Sequence, residues 1–319
     1  MNGPVTPDLS IIIPVYNEED SLNALCDRLF PVLDQLGRSW EVIFVDDGSR
    51  DRSPVLLRQL FERRPDTIRI VFFQSNFGQH AAILAGFEFA RGRRIVTLDA
   101  DLQNPPEEIP RLLEALDTGY DYVGTIRRQR RDHLWRRLAS RLMNRIRERI
   151  TRVHMTDQGC MLRGYDRSIV DAINRCEEIH TFIPALAYLF AAHPTEIEVE
   201  HDERQSGHSK YSLYRLIRLN FDLVTGFSVV PLQIFSLLGI VLALSSGILV
   251  LYLAFQRIFF GPQVKGVFTL FGIVFFLIGV LLFGIGLLGE YVGRIYQQVQ
   301  KRPRYLIQAV LERSGTPRA

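Results

Sequence analysis

Thr97-Leu98-Asp99-Ala100-Asp101-Leu102-Gln103 is the stretch on which the reading of this 319-residue chain turns. The apolar run that precedes it, Arg94 to Leu98, has the composition of a buried strand and stops in two carboxylates one residue apart. In open α/β sheets ligands sit in the crevice beyond the carboxyl ends of the strands, so Asp99 and Asp101 stand where a ligand would be held. Hard oxygen ligands at this spacing suit Mg²⁺ or Mn²⁺ gripped against a diphosphate, with phosphate oxygens and water completing the coordination. A nucleotide sugar presents such a diphosphate. A solvated turn contains Asp-x-Asp just as readily, so the rest of the chain has to decide.

A second strand-like run, Trp40 to Val45, ends in Asp46-Asp47-Gly48-Ser49, with Asp51 close behind. A third, Leu9 to Val15, contains Pro14 and ends in Tyr16-Asn17-Glu18-Glu19, where Tyr16 can stack on a base and Asn17 or Glu18 can bind base or ribose hydroxyls. Each of these alone would serve as a helix N-cap or a turn, because Asp, Asn and Ser favour both. If the three strands are parallel neighbours, however, their ends meet in one crevice.

Strand-like and helical patterns alternate from Leu9 to Ile126: strands at 9–15, 40–45, 68–73, 94–98 and 120–126, helices near 19–36, 53–64, 79–91 and 107–118. This alternation predicts a parallel-type α/β sheet. A mixed α/β segment is expected from Gly159 to Glu200, which would make residues 1–210 one α/β domain. Residues 211–229, rich in Tyr, Arg, Leu and Phe, have the composition of a helix lying in a membrane interface. After Asp222 no charged residue occurs until Arg257, and a second uncharged run extends from Gly266 to Gly289. Each is long enough to cross ~30 Å of hydrocarbon, which predicts two transmembrane helices at about 231–255 and 266–289 within 230–290. Residues 291–319 are left as a C-terminal tail.

The net charge of +3 conceals an asymmetry, since eleven arginines lie between Arg127 and Arg152 against only Asp132 and Glu148. Within that segment Leu134, Leu138, Leu142 and Ile146 recur every fourth residue, the pattern of a basic amphipathic helix. Such a segment faces something anionic, and two membrane spans make a lipid surface the expected partner rather than a nucleic acid. Basic residues flank the outer ends of the two spans more densely than the connection between them, so by the positive-inside rule the α/β domain and both termini are expected on the cytoplasmic side. The first apolar run is short and lacks the basic leader of a secretory signal. Cys26, Cys160 and Cys176 are not at metal-ligand spacing and fit reduced cytoplasmic thiols.

Ser10-Ile11-Ile12-Ile13-Pro14-Val15-Tyr16-Asn17-Glu18, Val45-Asp46-Asp47-Gly48-Ser49 and Leu98-Asp99-Ala100-Asp101-Leu102-Gln103 together resemble the signature of family 2 inverting glycosyltransferases, whose fold is the Rossmann-like GT-A type. Phe77-Gly78-Gln79-His80, Asn104-Pro105-Pro106-Glu107-Glu108, Thr181-Phe182-Ile183-Pro184 and Ser209-Lys210-Tyr211-Ser212 resemble the polyprenyl-phosphate branch of that family, with its two C-terminal spans. Within it the chain resembles the enzymes that transfer 4-deoxy-4-formamido-L-arabinose to undecaprenyl phosphate in lipid A modification, and it also resembles glucosyl and mannosyl transferases of that branch.

The resemblance implies a UDP-linked donor, a polyprenyl phosphate acceptor, a tetrameric assembly and a place in the bacterial inner membrane. It implies that Pro14, Tyr16, Asn17, Glu18, Asp46 and Asp47 contact the donor and that Asp99, Asp101 and Gln103 organise the metal and diphosphate. Arg204 and Lys210, on either side of Gly207, would close over the same diphosphate. Arg127, Arg136, Arg137 and Ser140 would hold the lipid phosphate. Asp157, in Thr156-Asp157-Gln158-Gly159-Cys160, stands where the family places its catalytic carboxylate. A processive polysaccharide synthase of the same fold usually carries Gln-x-x-Arg-Trp, which does not occur here, the two tryptophans being at positions 40 and 135. A non-catalytic membrane sensor would have no need of Asp99, Asp101, Gln103 and Asp157 together.

Overall fold

The computed structural model describes residues 6–127, 155–157, 160–176, 182–200, 229–260, 267–300 and 302–313. The chain divides into two compact units, one built on a sheet and one on two long apolar helices.

The sheet unit alternates as expected: β1 (Leu9–Val15), α1 (Leu22–Gln35), β2 (Trp40–Asp46), α2 (Ser53–Arg63), β3 (Ile68–Phe73), α3 (Gln79–Phe89), β4 (Arg94–Thr97), a 3₁₀ turn at Pro106–Glu108, α4 (Ile109–Asp117) and β5 (Tyr122–Arg127). There follow β6 (Arg163–Asp166), α5 (Arg167–Asn174), α6 (Ile183–Phe190) and β7 (Pro194–Val199). The helices form because apolar residues recur at helical spacing: α1 buries Leu22, Leu25, Cys26, Leu29 and Leu33, and α4 buries Ile109, Leu112, Leu113 and Leu116. These stripes pack on Ile11, Ile13, Val42, Phe44 and Val96 to make one core. On α3, Gly86 allows close approach to β1, since a Cβ there would meet Ile12 Cγ2 at 2.3 Å.

The eight strands run in the order β7-β5-β6-β4-β1-β2-β3-β8. β4, β1, β2 and β3 are parallel neighbours, and this brings the three acidic strand ends side by side. The sheet as a whole is mixed, not parallel. β6 enters between β4 and β5, antiparallel to both. β8 (Ile307–Leu311) pairs antiparallel with β3. Residues 307–311, expected as part of a tail, therefore form an edge strand of the eight-stranded sheet. Hydrophobic pattern marks a run as a strand but carries no information on its neighbour or direction.

The helical unit contains α7 (Val230–Phe260) and α8 (Val267–Val299), both longer than the apolar runs that predict them. Both hold segments long and apolar enough to cross a membrane, with most apolar side chains exposed. They touch closely at Gly284, where a Cβ would meet the Phe235 ring at 2.0 Å. The basic helix expected at 132–150 and the interfacial helix expected at 211–229 lie outside the described residues, apart from Val229.

Candidate active site

The carboxyl ends of β1, β2 and β4 are cross-braced by side chains that receive main-chain N–H groups. Leu98 N–H donates to Ile12 O at 3.0 Å and Asp47 N–H to Val15 O at 2.8 Å, so the parallel ladder continues to the rim of the crevice. The loop after β1 is then tied to the loop after β2. Asn17, with φ 55°, donates its N–H to Ser49 Oγ at 3.0 Å and accepts Arg50 N–H on Oδ1 at 2.8 Å. Glu18 N–H donates to Ser53 Oγ at 2.9 Å and Glu19 N–H to Asp51 Oδ2 at 3.0 Å. Asn17 thus shapes the rim with its side-chain oxygen, while Tyr16 is left exposed above it and Pro14 is half-buried in β1.

Asp46 and Asp47 are both buried at the end of β2, and burial raises both carboxyls above the usual range. Asp46 Oδ1 accepts Ser49 N–H at 3.3 Å. Asp47 accepts Phe77 N–H at 2.7 Å on one oxygen and Gly78 N–H at 2.9 Å on the other. Its carboxylate thereby braces the residues that lead into α3. Gly48 makes this turn possible: its φ is +70° and a Cβ would lie 2.6 Å from Ser75 C.

At the end of β4, Asp99 is half-buried and oriented by two amides. Gln79 Nε2 donates to Oδ1 at 2.6 Å, and Asn104 Nδ2 lies 3.4 Å from Oδ2. Burial pushes the Asp99 carboxyl up to about 7, with the charges of Asp101 and Glu18 adding to it. Asp101 Oδ1 accepts Gln103 N–H at 3.1 Å across a turn in which Leu102 takes φ 61°. Crowded carboxylates of this kind fit a divalent cation, which favours their ionised form. Among the described residues no three His, Cys, Asp or Glu side chains are grouped to share one ion. Mg²⁺ is ordinarily held by one or two protein carboxylates with substrate phosphates and water supplying the rest.

Asn104 is itself buried and passes the site's order inward, accepting from Cys160 Sγ at 3.2 Å, beside which the Thr125 hydroxyl lies at 2.8 Å. Asp157 is buried on the segment leading into β6. Arg127 is the last residue of β5. Arg136, Arg137, Ser140, Arg204 and Lys210 lie outside the described residues. Gln79, Ser49 and Asn104 were not singled out as site residues from the sequence. Gln79 and Asn104 fall inside motifs quoted above, and their polarity directly beside Asp99 in the fold is the signal that pattern alone does not rank.

The sequence model of the family described as glycosyl transferase family 2 matches residues 10–173, which spans every strand end just described. The chain belongs to glycosyl transferase family 2. This glycosyltransferase is 51% identical over 312 residues to the undecaprenyl-phosphate 4-deoxy-4-formamido-L-arabinose transferase of Pectobacterium atrosepticum, covering 97% of this chain and 95% of that one. It is 50% identical over 305 residues to the protein of the same name from Edwardsiella ictaluri, covering 95% and 94%. Among solved structures, glucosyl-3-phosphoglycerate synthase from Mycobacterium tuberculosis, in complex with Mn²⁺, UDP and phosphoglyceric acid, superposes with a TM-score of 0.50 at 16% identity, covering 69% of this chain and 76% of that one. At that identity the likeness speaks to the fold, which is of GT-A type.

Proposed function

We propose that this glycosyltransferase moves 4-deoxy-4-formamido-L-arabinose from its UDP-linked donor to undecaprenyl phosphate at the inner membrane, with inversion at the anomeric carbon. The observation that carries the reading is the convergence of Asp99 and Asp101 with the ends of β1 and β2 in a chain that also holds two membrane-length apolar helices. Near-full-length identity of about half to the named transferases supports the choice of sugar and lipid.

Tyr16 stacks on the base, and Asp46 and Glu18 meet the nucleoside from the rim. Asp99 and Asp101, with Gln103, hold Mg²⁺ or Mn²⁺, which when bound offsets the negative charge growing on the departing diphosphate. Arg204 and Lys210 close over that diphosphate, and Arg127, Arg136, Arg137 and Ser140 hold the acceptor phosphate. A lipid phosphate oxygen attacks the anomeric carbon as the bond to the β-phosphate oxygen breaks, and the nucleoside diphosphate leaves. The second pKa of a phosphomonoester is about 6, so the acceptor needs little deprotonation at cytoplasmic pH. Asp157 therefore orients groups at the reacting centre and stabilises the positive charge developing on the sugar.

The catalytic unit and both termini face the cytoplasm. β8 supports this topology, because residues 307–311 pair with β3 in the same sheet as residues 9–15 and so return after α7 and α8 to the side from which the chain departed. The assembly is a homo-oligomer, a tetramer by resemblance. Membranes containing the protein, incubated with undecaprenyl phosphate and a panel of UDP-sugars, should yield a polyprenyl monophosphosugar and UDP, with the formamido-arabinose donor the best substrate by product mass. UMP with a diphosphate-linked lipid would reject glycosyl transfer, and preference for UDP-glucose would reject the sugar.

A further inference from the structure

Asp157 sits on main chain that belongs to no strand or helix, and two side chains from opposite flanks of β5 hold that segment. From β6, Arg163 Nη2 donates to the main-chain oxygen of Asp157 at 2.9 Å, while Nη1 donates to the Tyr122 hydroxyl. From β7, Glu196 accepts Thr156 N–H with both carboxylate oxygens, at 3.0 and 3.2 Å. β5 lies between β6 and β7, and Gly124 on β5 pairs with Glu196. Its missing side chain is what lets the two groups approach: a Cβ at Gly124 would stand 3.2 Å from Glu196 Cγ and 3.4 Å from Arg163 Nη1.

Arg163 is fully buried, and its Nε has no hydrogen-bond partner. Burying a guanidinium is costly, and an apolar residue of similar volume would pack the same space without that cost. The planar fork, however, reaches the phenol and the main-chain oxygen together at a fixed angle, which a lysine ammonium cannot do.

We infer that Arg163 and Glu196 form a two-sided clamp that sets the position of Asp157 for transfer. This rests on the reading of Asp157 as a group at the reacting centre, and both members are positioning residues that act through it. Misplacing a reacting group by about 1 Å costs about 100-fold in rate, so R163K should lower kcat by about that factor and E196Q by about 10-fold, with donor KM within about 2-fold of wild type.

The test uses the full-length protein in detergent or vesicles and compares R163K, E196Q, D157N and the doubles R163K/D157N and E196Q/D157N. The clamp predicts that neither substitution lowers kcat further once Asp157 is replaced, because both act through a group already lost. Additive losses in the doubles, or wild-type kcat in R163K and E196Q beside an impaired D157N, would overturn the clamp alone. Wild-type kcat in D157N would overturn the reading of Asp157 itself. Thermal unfolding of each variant separates folding from positioning, and a kcat loss that only tracks lost folded protein counts against the clamp. Should R163K not accumulate, E196Q and G124A carry the same test, with lowered kcat at unchanged donor KM as the supporting result and unchanged kcat as the opposing one.

Discussion

In the proposed reaction Asp99 and Asp101 share one ion from unequal positions. Asp99 is oriented by Gln79 and Asn104 and pushed up by burial, while Asp101 is braced by a main-chain N–H. Removing either carboxylate withdraws several kcal/mol of charge stabilisation from the leaving group, so Asp101→Ala and Asp99→Ala should each lower kcat/KM by about a thousandfold. Titrating Mn²⁺ against both variants checks this, and wild-type rates in either variant or in excess chelator would refute it. His80 makes a separate prediction about pH. Its ring packs edge-on to Phe182 at 5.4 Å, and burial, followed by the Arg163 charge, lowers its pKa to about 4 from an ordinary 6.5. The folded state therefore resists protonation that the unfolded chain accepts. Stability from this group is complete above pH 6.5 and is lost as pH falls towards 4. The Tm of the wild type should fall more steeply over that window than the Tm of His80→Asn, and parallel curves would show that His80 is not responsible. The charged ends of β1, β2 and β4 were legible as residues because Asp-x-Asp and Asp-Asp-Gly-Ser interrupt apolar runs. The bracing of Phe77 and Gly78 by Asp47 was not, since it depends on how the loop after β3 folds back over β2.

The loops at the sheet's rim behave as one element because each borrows hydrogen bonds from its neighbour. Asp47 is the clearest case, fixing the first residues of α3 and with them Gln79, which orients Asp99. Asp47→Ala deletes two charge-assisted hydrogen bonds to half-buried main chain and should destabilise the sheet unit by about 2–3 kcal/mol. It should also weaken donor binding through the loosened α3 terminus, which isothermal titration with UDP and Mn²⁺ would register. An unchanged Tm would refute the bracing role, and an unchanged affinity for UDP would rule out any part for Asp47 in donor binding. The strands and helices themselves were largely predictable to within a few residues, from stripes such as Leu22, Leu25, Leu29 and Leu33 and runs such as Ile68 to Phe73. Their neighbours were not, because β6 inserts between β4 and β5 through a contact of large sequence separation that local pattern cannot encode.

At the scale of the whole molecule, the catalytic sheet is completed by residues that come after the two apolar helices in the sequence. Glu312, just after β8, lies 3.3 Å from Arg69 Nε and 3.3 Å from Arg91 Nη2, and Glu41 lies 3.4 Å from Arg69 Nη2. Tyr305 stacks on Phe73 at 4.9 Å. A catalytic segment ending before α7 therefore loses an edge strand and leaves the buried Arg69 with one carboxylate instead of two. Expressed alone, it should aggregate or melt well below a version in which residues 302–313 are rejoined by a flexible linker, and equal solubility and Tm for the two would refute the point. Within the intact protein, Glu312→Gln should cost about 1–3 kcal/mol, read from thermal unfolding. The amino-acid sequence by itself determined the α/β alternation, the acidic strand ends and the two long apolar helices, because each is written in local periodicity, in residue chemistry or in the length of an uncharged run. Only the tertiary structure decided that Ile307–Leu311 is a strand, that Arg163 is buried, that Gln79 and Asn104 lie beside Asp99 and that Glu196 meets Thr156, because each depends on which distant segments the sheet order places side by side.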